Sequence, residues 1–123
     1  MTYASVMVLS LGLSLGITAQ EGSAQSYDCK KAATATENAI CNNRSLSNLD
    51  QEMATLYWVV EQIPAMMGMR GEYGDEARAF LKERDACGAG ETCLTKVYTK
   101  RNSALKQDIN DSMADYCKAI GLC

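Results

Sequence analysis

Six cysteines fall in a chain of 123 residues that contains no histidine. They lie as three neighbouring couples: Cys29 with Cys41, Cys87 with Cys93, and Cys117 with Cys123. A structural zinc site needs a tetrahedral ligand set, usually delivered as C-x2-C pairs, and these couples are spaced more widely. A thioredoxin-type redox centre needs C-x-x-C at a helix start, and "CGAGETC" (Cys87–Cys93) is too long for that motif. An even cysteine count in a small exported chain reads instead as a disulfide framework. Nearest-neighbour pairing is expected, because short helices joined by tight turns bring local cysteines together. "RDACGAGETC" (Arg84–Cys93) is then a staple between two helices. By loop entropy each such bridge is worth roughly 2–3 kcal/mol, a large share of a domain stability of about 5–15 kcal/mol.

Export is read from the first residues. "VMVLSLGLSLGITA" (Val6–Ala19) is uncharged and too short for a comfortable membrane span. Small residues Gly22 and Ala24 follow at a spacing that a signal peptidase accepts. Residues 1–24 are expected to be a signal peptide, cut near Ala24 or Ala19, and residues 25–123 the domain. No cysteine directly follows the apolar stretch, so the exported product is expected to be soluble rather than lipid-anchored. Its location would be periplasmic or secreted. The formal charge of −3 and the lack of a Lys/Arg run argue against a nucleic-acid surface.

The domain reads as all-α, because no segment alternates with period two. Thr34 and Glu37 are spaced as a capping box for a short first helix. Asn43 is a natural N-cap for the next, in which Leu46, Leu49, Met53, Leu56, Val60 and Ile63 form one apolar face up to Pro64. "AMMGMRGEYGDE" (65–76) reads as a flexible connection. A helix is expected from Asp75, with Asp75 and Glu76 favouring its N-terminal end and Ala77, Phe80 and Leu81 facing inward. After the Gly88–Gly90 break, Leu94, Val97, Tyr98, Leu105 and Ile109 share a stripe that includes Arg101, and Gly121 is a reasonable terminator near Ile120. The expected architecture is a small antiparallel helical bundle of three main helices and a short N-terminal one, braced by three local disulfides.

The order of motifs resembles the LprI-type lysozyme-inhibitor domain family of bacterial envelopes. The matching stretches are "DCKKAATATENAIC" (Asp28–Cys41), "LSNLDQEMATLYW" (Leu46–Trp58) and "FLKERDACGAGETCLTKVYTKR" (Phe80–Arg101). The resemblance implies a disulfide-braced helical bundle exported to the periplasm or cell surface, and a protein partner such as lysozyme. Phe80 stands where that family usually has Trp, the 65–74 connection departs from its pattern, and the lipid anchor of its named member is missing. The family supplies no inhibitory motif that transfers residue by residue.

No catalytic residue, metal ligand or cofactor site is expected, and the chain is not read as an enzyme. Paired acids can cleave glycosides only where a cleft raises one pKa, and a bundle this small offers little burial. Met66, Met67 and Met69 are read as packing residues ahead of a contact surface or a Cu(I) site. Arg101 is expected to pair with a carboxylate such as Asp85 or Asp50. For a basic partner the candidate contacts are Glu72, Asp75 and Glu91, with Tyr73 as the apolar anchor such a surface needs. The runner-up to an inhibitor is a structural or assembly component of the envelope without an enzyme target.

Overall fold

The computed structural model describes residues 26–123, and the expected signal segment 1–24 lies outside them. Asp28 caps a single 3-10 turn, Cys29–Lys31. Thr34 and Glu37 then close the expected capping box around α1 (Ala35–Asn42). The Asn43 side chain accepts from the backbone N–H groups of Ser45 and Leu46 and opens α2 (Arg44–Gln62). Pro64 cannot donate the hydrogen bond that would prolong α2, and it instead begins a 3-10 segment, Pro64–Met69. Two further helices follow, α3 (Arg70–Ala86) and α4 (Glu91–Ala119). No strand occurs among the described residues.

The helices run up, down and up. Tyr98 bonds to Asp50, Asn102 to Leu49 and Glu52, and Lys106 to Glu52, so α4 ascends alongside α2 in the same direction. The ion pairs Arg101–Glu76 and Lys100–Glu83 and the packing of Tyr73 with Leu105 run α3 the opposite way. This is the expected bundle. The core has two parts. Ile40, Leu46, Phe80, Leu94, Val97 and Tyr98 fill the end near α1, with Phe80 and Tyr98 edge to face at 5.3 Å. Val60, Ile63, Met66, Tyr73 and Leu105 fill the other end, and Met53 packs against both.

All six cysteines pair with their nearest neighbour, at Cα separations of 5.8, 5.6 and 5.5 Å. Cys29–Cys41 ties the leading segment to α1. Cys87–Cys93 spans the turn between α3 and α4, where Gly88 takes a φ of 53° that side chains disfavour. Cys117–Cys123 closes the last turn of α4 around Gly121, whose φ is 71°.

Two expectations need correction. The 65–74 connection is not a loose linker: the 3-10 segment leads directly into α3, which starts at Arg70. Asp75 and Glu76 therefore lie inside the helix, and Glu72 occupies its first turn. Gly71 and Gly74 each disfavour a helix by about 1 kcal/mol, but Met66 and Tyr73 are both buried there, and full burial of such side chains gains about 1.5–3 kcal/mol each. Leu81 does not face inward either. It is 42% exposed, because it stands about 100° around the helix from the buried Phe80.

Candidate protein-binding surface

The buried polar groups near α1 are committed to holding the fold. Asp50 is withdrawn from solvent and accepts from the Tyr98 hydroxyl at 2.7 Å and from the Ser26 backbone N–H at 2.6 Å. Burial, and then the Asp50 charge, push the Tyr98 phenol far above its ordinary range. The Tyr27 phenol is pushed up to about 12, again by burial first and Asp50 second, and its hydroxyl donates to the Glu37 carbonyl at 3.0 Å. Beside them the buried Arg84 donates through Nε to Asp85 at 2.8 Å. Thr36 reaches the Asp85 carbonyl at 3.5 Å. The network thus joins the leading segment to every helix at that end.

Arg101 does not pair with Asp85 or Asp50, as the sequence suggested. Arg84 occupies the first and Tyr98 the second, so Arg101 bonds to Glu76 at 2.7 Å. Its side chain is only 11% exposed, and its Nε and Nη2 have no hydrogen-bond partner among the described residues. It backs a shallow groove of about 220 Å³ between Met53 and Tyr57 of α2 and Phe80 and Leu81 of α3. The groove is almost wholly apolar and holds no pair of titratable groups.

The four residues expected to meet a partner do not form one surface. Glu72 and Asp75 are exposed near the start of α3. Tyr73 lies between them in sequence but is 5% exposed, with its hydroxyl 3.8 Å from Met66 Sδ. Its position one turn above Glu76 and Ala77 puts it on the inner face of α3, so it is a core residue rather than an anchor. Glu91 is exposed in the first turn of α4, at the opposite end of the bundle. Glu72 and Asp75 instead share their end with Asp108, whose carboxyl is raised by burial and by the neighbouring Glu76. The methionines also divide: Met66 is buried, whereas Met67 and Met69 are exposed. No cluster of His, Cys, Asp and Glu among the described residues could hold a metal, and no described helix is long and apolar enough to cross a membrane.

Exposed apolar side chains are gathered at that same end. Trp58 stands one turn before the end of α2, and Met67 and Met69 follow in the 3-10 segment. Met113, Tyr116, Ile120 and Leu122 continue the surface on the last part of α4. Among the described residues, Leu81 is the one large exposed apolar side chain elsewhere. Scattered apolar residues are ordinary on a surface, but a collection at one end marks an interaction face. The repeat Ile109, Met113, Tyr116, Ile120 was visible in the sequence as a continued helical stripe. That its partners stop short of it was not.

Compared with family models, curated proteins and solved structures, the chain matches none.

Proposed function

We propose that this chain is an exported binding protein, periplasmic or secreted, that inhibits lysozyme or a related peptidoglycan hydrolase by occluding its cleft without turnover. The observation that carries the reading is the apolar end of the bundle, flanked by Glu72, Asp75, Asp111 and Asp115. Apolar anchors supply affinity at an interface, and surrounding carboxylates favour encounter with a basic enzyme. The disulfides fit an oxidising compartment and give the rigid scaffold that an occluding protein needs. The likeness to lysozyme-inhibitor domains points the same way.

A cell-wall turbidity assay tests this. A c-type lysozyme is titrated with the oxidised protein, and a reduced and alkylated sample serves as control. Saturating inhibition near one-to-one that vanishes on reduction is expected. Full activity at excess inhibitor rejects the reading. The apolar end would equally suit an assembly component of the envelope, for which a pull-down from envelope extracts, without loss of any hydrolase activity, is the distinguishing result.

A further inference from the structure

We infer that the last part of α4, together with the disulfide-closed turn after it (Asn110–Cys123), is the element that enters the partner's cleft, and that the partner is a basic protein. The inference rests on the inhibitor reading above and assigns its working part.

Length gives the first argument. At 1.5 Å per residue, α4 is about 43 Å long and α2 about 28 Å, from 29 and 19 residues. Since the two run parallel from the same end of the bundle, the excess of α4 projects beyond α2. Burial agrees: Leu105 is the last fully buried residue of α4, Ile109 still touches the second core, and no residue from Asn110 onward is buried.

The projecting part keeps the helical apolar repeat. Met113, Tyr116 and Ile120 recur at steps of three and four, which places them on one face, in line with Ile109 and the core stripe. Asp111 and Asp115 fall on the other face, with Lys118 as the sole basic residue of the arm, 3.7 Å from Asp115. A helix with its side chains is about 10–12 Å across, so an arm seated in a cleft presents both faces to the walls.

Charge selects the occupant. A second copy would bring two acidic arms together, and an anionic lipid surface would repel the same carboxylates. A basic cleft with apolar walls complements both faces. The arm is also held ready to bind. Cys117–Cys123 closes its final turn, the Gly121 and Leu122 N–H groups donate back to Lys118 and Cys117, and Leu122 is presented at the tip, 79% exposed. Ordering that precedes binding need not be supplied by the binding energy.

The experiment compares the oxidised wild-type protein with Tyr116→Lys/Ile120→Lys and with Thr95→Lys/Ala89→Lys, a control of equal added charge at the far end. Each is titrated into a basic c-type lysozyme, with inhibition and calorimetric affinity as readouts and sedimentation velocity run on the protein alone. Because the arm lies outside the core, both variants are expected to keep the wild-type thermal midpoint. The expected result is affinity weakened by roughly ten-fold or more for the arm variant and by less than about two-fold for the control. An arm variant that inhibits like wild type overturns the arm and leaves the inhibitor reading standing. Wild-type protein that neither binds nor inhibits overturns both. A dimer that the arm variant dissolves assigns the arm to a second copy and rejects the basic partner.

Discussion

The Tyr98 hydroxyl reaches the Asp50 carboxylate across 2.7 Å at a point where neither residue meets solvent. Tyr98→Phe removes the donor and leaves that carboxylate oxygen buried without it, at a cost of about 1–3 kcal/mol. Urea denaturation should show a lower midpoint with an unchanged slope. A midpoint equal to wild type would mean that the bond contributes nothing.

Burial also separates two neighbours in α3. Phe80→Ala removes a ring packed against Tyr98 and should cost about 3–5 kcal/mol, whereas Leu81→Ala at an exposed site should stay within about 0.5 kcal/mol. Comparable losses at both positions would contradict the orientation of α3.

The three disulfides should differ in worth. Replacing Cys87 and Cys93 by Ser frees the turn between two packed helices and should cost roughly 2–3 kcal/mol. Replacing Cys117 and Cys123 frees a segment that packs on nothing, so its folded form gains freedom along with the unfolded chain. Global stability should then fall by less than about 1 kcal/mol, while amide exchange quickens from Asn110 onward. Equal losses for the two pairs would show that the arm belongs to the cooperative core.

Alkaline stability should follow the buried phenols. Tyr27 titrates near 10.0 when unfolded and is pushed up to about 12 in the fold, chiefly by burial. A raised folded value stabilises fully below the unfolded one and is lost as pH climbs through the folded one, here between pH 10 and about 12. The tyrosinate absorbance of wild type minus Tyr27→Phe should rise near the upper limit. A difference curve centred at the lower limit would remove Tyr27 from the buried network.

Acid should act through the capping box with the opposite sign. The backbone N–H groups of Ala33 and Thr34 hold the Glu37 carboxyl below its ordinary value of 4.5. Its contribution is present above that value and fades as pH falls through the lower folded one. Glu37→Gln should therefore flatten the decline of the thermal midpoint on the acid side of 4.5. An unaltered acid limb would exclude Glu37 as a source of it.

Local chemistry made much of this fold legible. Thr34, Glu37, Asn43 and Pro64 act within a turn of where they stand, so their effect does not wait on tertiary structure. The α2 stripe and the cysteine couples are also short-range patterns. Tyr73 was misplaced because Gly71 and Gly74 argue locally for a loop, and the burial that overrides them comes from Met66 and α4. Arg101 lost its expected partners for a related reason: spacing reveals that a cation lies on an apolar face, but competition among Arg84, Tyr98 and Arg101 for Asp50 and Asp85 exists only once three helices meet. The candidate surface was half legible. Its acids and apolar repeat could be read, while their assembly at one end depends on the unequal lengths of α2 and α4.

Cys29–Cys41 and Cys87–Cys93 both fasten the end where the Asp50–Tyr98 network lies, and Cys117–Cys123 spans only its own final turn. The second core, around Val60 and Tyr73, therefore has no covalent tie across it. Fluctuations should grow along the bundle axis toward Trp58 and Met67, with sub-global opening starting there. One half acts as an anchor and the other as a compliant jaw, so mechanical softness and stickiness coincide in the same part of the molecule.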